Sequence, residues 1–286
     1  MKTNYTQDFS HVATFILDNL SKNQSYVHKL PVDCTEALQS YLSNADKHHQ
    51  LFTTEDDNGL TMVLICVPYA EHKYQVVGPI YRQGITFTEQ DLKQLFESAT
   101  AQHHRPSTYY FSFSTAHPAI KSYMKSIGAA YTFTDYHLEA TQDLGVSERD
   151  HLIIDYLPVY FHYFKQLHER AFKHSAETAE AIVNTLDNSH KLFLYVEEGL
   201  LKGYLYIVID TLTKRAEIKY FSSHTDYRLK GIAFDLIQRA IHHTCQDNDI
   251  QTVHFKIRSK NHQLVSRFDT LGFHIKESYD KFKCHF

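Results

Sequence analysis

"YRLKGIAF", residues 227–234, joins a strand-like run, "KRAEIKYFSS" (214–223), to an apolar helical stripe that begins at Ile232. In that stripe Ile232, Leu236 and Ala240, with Ala233, Ile237 and Ile241, recur at helical spacing. An ordinary strand-to-helix turn needs only a cap, yet this one carries Arg228, Lys230 and Gly231. A glycine that opens a helix leaves the first backbone N–H groups unscreened by a side chain, and the helix dipole adds partial positive charge there. Two cations at the mouth suit a diphosphate better than a lone carboxylate. The six-residue pattern alone fits a turn glycine beside solvated surface cations equally well, so the surrounding chain decides.

Before the quoted stretch, "LIIDY" (152–156) reads as a short strand, "PVYFHYFKQLHERAF" (158–172) as a helix opened by Pro158, and "AETAEAIVNTL" (176–186) as a second helix. "KLFLYVEEGLLKGYLYIVID" (191–210) is a hairpin that turns at Glu198 and Gly199. After it, "TVHFKI" alternates, with Val253, Phe255 and Ile257 on one face; a helix over 260–271, Gly272 and a strand from Phe273 close the chain.

The first half runs through the same order. Phe9, Val12, Ile16 and Leu20 mark a helix and "TEALQSYL" (35–42) a shorter one; a hairpin turns at Asp57–Gly59, and "KYQVVGPIY" (73–81) is the next strand. Thr88 caps a helix, "TYYFSFS" (108–114) is a strand, Gly128 closes a further helix, and "AYTFTDYHLEA" (130–140) is the last strand. Gly59 to Gly128 spans 69 residues and Gly199 to Gly272 spans 73, as two copies of one α/β unit would. The polar run "TQDLGVSERD" (141–150) is the expected join.

Composition narrows the partners. A net charge of -4 over 286 residues argues against nucleic acid or an anionic membrane as the main partner, because both demand a basic field. Cys34, Cys66, Cys245 and Cys284 form no C-x-x-C pair and read as reduced thiols, and no apolar run approaches a membrane span, so a soluble cytoplasmic protein is expected. The adjacent pairs among the 21 histidines, His48/His49, His103/His104 and His242/His243, point apart on any helix or strand; no metal is expected.

Twenty-eight residues beyond Gly231 the chain reads "SKNHQLVSRFDTLGF" (259–273). "RLKGIA" resembles the R/Q-x-x-G-x-G/A acyl-CoA diphosphate motif of the GNAT superfamily of N-acetyltransferases, and Asn261 to Phe273 resembles its later N-x-x-x-x-x-x-Y/F-x-x-x-G-F segment. The resemblance covers residues 150–286 in element order as well as motif. It implies two tandem GNAT-like α/β domains, each a mixed, mostly antiparallel twisted sheet flanked by helices: 1–145 degenerate, 146–286 binding acetyl-CoA. The N–H groups of Arg228, Leu229, Lys230, Gly231, Ile232 and Ala233 would then cradle the diphosphate. Phe221, Ser222 and Ser223 would follow the pantetheine arm where the fourth and fifth strands splay, and a backbone N–H in that gap would stabilise the oxyanion. Asn261 and Phe268 take positions that face the cofactor in the family.

Acetyl transfer to an amine needs a base, and Glu217 is the candidate; as a solvent-facing strand residue it would instead pair with Lys219 or Lys202. The family's acid is often a tyrosine where this chain has Phe268, so the thiolate leaves unaided or Tyr279 or Tyr220 substitutes. His162, Tyr163 and Glu169 are candidate acceptor contacts on the first helix. In the first half the corresponding stretch, "YRQGITFTEQDL" (81–92), has the wrong spacing, and Glu89 puts a negative charge in the first turn, which repels phosphate. That half is expected to shape the acceptor site or support the other. The reading is therefore an N-acetyltransferase acting on a small-molecule or peptide amine, as a monomer or homodimer. Its rivals are a non-catalytic acyl-CoA sensor and a Fem-like aminoacyl transferase, whose tRNA would require a basic arm that this acidic chain does not display.

Overall fold

The structure, a computed structural model, describes residues 2–4, 8–20, 30–32, 34–114, 118–143, 145–172, 177–227 and 230–286. In chain order the elements are β1 (Lys2–Asn4), α1 (Phe9–Leu20), α2 (Thr35–Lys47), β2 (Leu51–Asp56), β3 (Gly59–Ala70), β4 (Lys73–Tyr81), α3 (Glu89–Thr100), β5 (Thr108–Ser114), α4 (Pro118–Ser126) and β6 (Ala130–Ala140). There follow β7 (Ile153–Asp155), α5 (Phe161–Ala171), α6 (Ala179–Asn184), β8 (His190–Glu197), β9 (Leu200–Asp210), β10 (Arg215–Ser223), α7 (Ile232–Asn248), β11 (Thr252–Arg258), α8 (His262–Asp269) and β12 (His274–His285).

Several expected helices have different bounds. α2 runs on to Lys47 because Ala45 extends the buried face of Leu38 and Leu42. Pro158 opens a 3-10 turn, Pro158–Tyr160, before α5 begins. α6 starts only at Ala179, since Thr178 caps it by accepting from the Ala181 N–H.

The chain divides into two compact units, Met1–Asp135 with Ser278–Phe286, and Tyr136–Glu277. The division falls a few residues before the polar run expected as the join, and the last nine residues belong with the first unit. That exchange leaves no mark on glycine spacing.

In the first unit the strand order is β1-β2-β3-β4-β5-β12, antiparallel except for the β4/β5 pair. Val12 and Ile16 of α1 with Leu38 and Leu42 of α2 pack on one face of the sheet, against Val63, Ile65, Val77 and Ile80. On the other face Leu92, Leu95 and Phe96 of α3 and Tyr123 of α4 pack against Leu64, Phe111 and Phe113.

The second unit repeats this layering. Its strand order is β7-β8-β9-β10-β11-β6, with β10 and β11 parallel. Phe164 and Leu167 of α5 with Ile182 of α6 cover Leu192, Leu194, Tyr204 and Tyr206 on one face. Ile232, Leu236, Ile237 and Ile241 of α7 cover Ala216, Ile218, Val253 and Phe255 on the other. The period-2 strands and period-3.6 helices therefore meet as their patterns require.

Candidate functional site

The site is built on a gap in the second sheet. β10 pairs with β11 only from Arg215 to Glu217, opposite Thr252 to His254, and beyond Glu217 no pairing to β11 continues. On its other side β10 stays paired with β9, but the register shifts between Ile218 and Tyr220, a bulge with Lys219 as the extra residue. The bulge re-aims the strand. Ala216 and Ile218 face α7, whereas after the bulge Tyr220 faces the α5 side and Phe221 the α7 side.

The N-terminus of α7 is set at the mouth of that gap. Gly231, the N-cap, has φ +83°, a left-handed conformation that side-chain-bearing residues adopt only with strain. The Phe234 and Asp235 N–H groups both donate to the Gly231 carbonyl, at 2.8 and 3.1 Å, which leaves the N–H groups of Ile232 and Ala233 without an intrahelical acceptor. Gly203 on β9 brings this turn close to the sheet: a Cβ there would lie 2.6 Å from Ile232 Cγ2 and 3.1 Å from the Ser222 carbonyl. The loop is also held by Arg149. Its Nη1 donates to the Lys230 carbonyl at 2.8 Å, and its Nη2 lies 2.7 Å from Asp235 Oδ2 in the first turns of α7.

Between these elements lies a groove of about 800 Å³. Phe221, Ser222 and Ser223 of β10, Gly231, Ile232 and Ala233 of the turn, and Asn261 before α8 line it, seven of the residues expected from sequence. Tyr227, Phe234, Lys260, His262, Gln263, Leu264 and Arg267 complete the wall. Those additional residues hold no specified motif position, but each lies within three residues of one that does. Arg267 stacks its guanidinium 4.9 Å from the centre of the Phe234 ring, and with Lys260 it adds cationic charge to the α8 side.

Of the other expected residues, Lys230, Phe268 and Tyr279 stand elsewhere. Arg228 and Leu229 lie outside the described residues. Lys230 is exposed beside the groove, its Nζ 5.1 Å from the Tyr227 ring centre. Phe268, expected on the cofactor wall, is fully buried beneath it, stacked on Phe234 at 5.2 Å and edge-on to Phe221 and Phe255. An aromatic ring without a polar end gains most by joining that cluster. Tyr279, expected as a substitute acid, lies on the part of β12 that belongs to the first unit, buried and opposite Ser114. It does not line the groove.

Glu217 is the last β10 residue paired to β11, on the face opposite Ala216 and Ile218. Its carboxylate meets neither Lys219 nor Lys202 but Lys256, at 3.3 Å. Lys219 pairs instead with Glu177, and Lys202 with Glu197. Opposite Glu217 stands His254, whose Nδ1 is buried without a hydrogen-bond partner among the described residues; burial holds its pKa below the ordinary value while the Glu217 charge works the other way. Tyr220, the other hydroxyl considered, accepts from the Glu177 N–H at 3.1 Å. The carbonyl of Glu177 accepts from Nε2 of the buried His168 at 2.8 Å, and Nδ1 of that ring lies 2.6 Å from the Tyr204 hydroxyl.

A second hollow, about 250 Å³, shares the Tyr227 wall with the groove. Tyr163, Gln166, Leu167 and Arg170 of α5 line it, facing Leu200, Leu201, His224 and Asp226. Of the three acceptor contacts expected on α5 only Tyr163 lines it; His162 accepts from Gln166, and Glu169 lies 3.8 Å from Lys165. Among the described residues no three His, Cys, Asp or Glu side chains gather as a metal site, and no helix is long and apolar enough to cross a membrane.

Residues 155–283 match the family model of the acetyltransferase (GNAT) domain. That stretch is a GNAT domain. Solved structures extend the likeness to the whole chain. A GCN5-related N-acetyltransferase from Sphaerobacter thermophilus superposes with a TM-score of 0.69 at 13% identity, covering 99% of this chain and 94% of its own. A tandem GNAT protein from the clavulanic acid biosynthesis pathway gives 0.64 at 12%, covering 99% and 98%, and a GNAT-family acetyltransferase from Colwellia psychrerythraea 0.63 at 12%, covering 99% of each. At such identities the likeness is one of fold, and the fold is tandem GNAT. No curated protein matches the chain. The second unit thus has the fold of acyl transfer, and its groove lies where the quoted motif falls.

Proposed function

We propose that the protein is an N-acetyltransferase that moves the acetyl group of acetyl-CoA onto a primary amine within one ternary complex. The observation that carries this reading is the groove lined by the end of β10, beyond its last pair with β11, by the Gly231 cap and first turn of α7, and by α8 with the two residues before it. Its Gly231 end offers N–H groups without an intrahelical acceptor and a helix dipole to a diphosphate, and β10 beyond Glu217 offers an edge not paired to β11 to an amide-rich arm. The amine would attack the thioester carbonyl, its proton passing to Glu217 directly or through water, while a backbone N–H at the β10 bulge stabilises the oxyanion. Collapse of the intermediate breaks the C–S bond. The thiolate leaves with a proton from water, since Phe268 has none to give and thiolates are fair leaving groups. The hollow beside Tyr227 supports an acceptor bordered by α5.

The buried Phe268 favours a second reading, an acyl-CoA sensor without turnover. Calorimetric titration with acetyl-CoA, followed by thiol release over a panel of amines, separates the two. The enzyme reading expects micromolar binding and release of free CoA with at least one amine class; binding without release with any amine selects the sensor, and absence of binding removes both.

A further inference from the structure

Arg149 stands 82 positions before Gly231 in the chain, outside every motif, yet it contacts the Lys230–Asp235 turn twice and lies against Gly231. Its Nη1 donates to the Lys230 carbonyl at 2.8 Å, its Nη2 lies 2.7 Å from Asp235 Oδ2, and the same Nη2 lies 2.6 Å from where a Cβ on Gly231 would be. Gly231 lines the groove and Arg149 does not, so the guanidinium holds the loop from behind. Its partner is an awkward residue for this position. Asp235 is 6% exposed, one turn into the helix whose N-terminus faces the groove, and a carboxylate there opposes a bound anion. Burial already pushes its pKa up, and the Asp150 carboxylate adds to that push; Arg149 and the Ser147 hydroxyl hold it down. Asp150 in turn is paired to Arg239 of α7 at 3.2 Å, so the whole 147–150 segment is latched to the helix.

We infer that Arg149 is a positioning residue of the anion site: it orients the Lys230–Gly231 peptide so that the N–H groups beyond it face the groove, and it neutralises Asp235 behind them. Two demands follow from this geometry. The carbonyl that precedes Gly231 must point away from a bound anion, and Arg149 supplies the donor that keeps it there. The buried carboxylate must be cancelled by a charge that does not itself occupy the groove. Lysine meets the second demand as a point charge but lacks the fork that reaches both partners at once.

The inference rests on the acyl-CoA reading, and its test uses ligands that separate the two. Acetyl-CoA, inorganic pyrophosphate and acetyl-pantetheine are titrated into the native chain, Arg149→Ala, Arg149→Lys, and Arg149→Ala combined with Asp235→Asn, each checked for native circular dichroism. Arg149→Ala is expected to weaken acetyl-CoA and pyrophosphate about tenfold, about 1.4 kcal/mol, and acetyl-pantetheine less than about twofold, with KM raised and kcat kept. Arg149→Lys is expected to fall between, and Asp235→Asn to restore part of the loss in the double variant. Arg149→Ala binding acetyl-CoA and pyrophosphate within about twofold of the native chain, or losing acetyl-pantetheine equally, overturns the inference. Should Arg149→Ala not fold, the Lys variant decides: native affinity for both anions overturns the inference and a loss confined to them supports it. A native chain that binds pyrophosphate but not acetyl-CoA strikes the functional reading and leaves Arg149 to be judged on pyrophosphate; one that binds neither strikes both.

Discussion

In the first unit β4 pairs with β5 only from Lys73 to Gln75, and in the second β10 pairs with β11 only from Arg215 to Glu217. Each of the two strands then carries a bulge against its antiparallel neighbour, at Gly78–Pro79 in β4 and at Lys219 in β10. From that shared start the gaps develop in opposite directions. Phe96, Phe111, Phe113 and Tyr123 close around the first until about 10 Å³ remains, whereas the second stays open at about 800 Å³. At the helix that follows, Thr88 and Asp91 form a reciprocal capping box with Glu89 beside it, where α7 has a bare glycine cap. Flanking the bulge and facing the first helix pair, the first unit has Val77 and Ile80 where the second has Glu217 and Tyr220. Pro79 even removes a backbone N–H from the bulge. A parted pair of strands is thus a property of the fold, and a site arises only where the side chains leave the parting empty and the cap leaves it uncharged.

The aromatic filling gives the largest test. Phe111→Ala is expected to cost about 3–5 kcal/mol of stability, read by urea unfolding, without acetyl-CoA binding at the first unit, because the acidic cap at Thr88–Asp91 remains. Phe268→Ala should cost a similar amount and also weaken acetyl-CoA, since the ring underlies Phe221 and Phe234 on the groove. Acetyl-CoA binding gained by Phe111→Ala would show that filling alone silences the first unit.

Gly231→Val against Gly84→Ala compares the two loops directly. Both glycines have positive φ, +83° and +81°, but a Cβ at Gly84 meets nothing within 4 Å while one at Gly231 collides with Arg149. Gly231→Val is expected to weaken acetyl-CoA at least about 100-fold, about 2.7 kcal/mol, and Gly84→Ala to leave affinity unchanged at about 1 kcal/mol of stability. Equal losses of affinity would place the ligand in the wrong loop.

Next comes Glu217→Gln, expected to lower kcat about tenfold, about 1.4 kcal/mol of barrier, with acetyl-CoA affinity kept. Val77 in the matching place of the first unit has no charge to lose. An unchanged rate would return Glu217 to the role of Lys256's surface partner.

Much of this contrast is legible in the sequence. Gly231 after a strand and Thr88 with Glu89 before a helix are local signals, set by φ and by charge within one turn, and both stand in the structure as read. The bulge at Lys219, the close approach at Gly203 and the latch from Arg149 are not local. Each depends on which strand lies opposite or which segment folds over the loop, and an alternating pattern is blind to a one-residue register shift. Phe268 and Tyr279 show the same limit from the other side. The first occupies a motif position but is drawn beneath the groove by Phe234 and Phe255; the second follows the last strand into the first unit.

The smallest expected effect concerns one histidine in each unit. Burial holds His103 and His254 below the ordinary 6.5, so between the native value and 6.5 the unfolded chain binds more protons than the native one. Their contribution is therefore whole above pH 6.5 and is lost as pH falls through that window. They should respond differently to their surroundings. His103 has both ring nitrogens engaged, Nδ1 with the Tyr109 hydroxyl at 2.9 Å and Nε2 with the His49 carbonyl at 3.1 Å, and no carboxylate favours its charged form. His254 faces Glu217, whose charge partly offsets burial. Glu217→Gln should accordingly depress His254 further and steepen the loss of stability between about pH 7 and 5.5, while His103→Gln flattens the slope of the first unit alone. Unfolding followed by urea at both pH values reads the two slopes. A slope indifferent to Glu217→Gln would mean that the carboxylate is too well matched to Lys256 to reach the histidine, and the same pairing would then count against its service as a base.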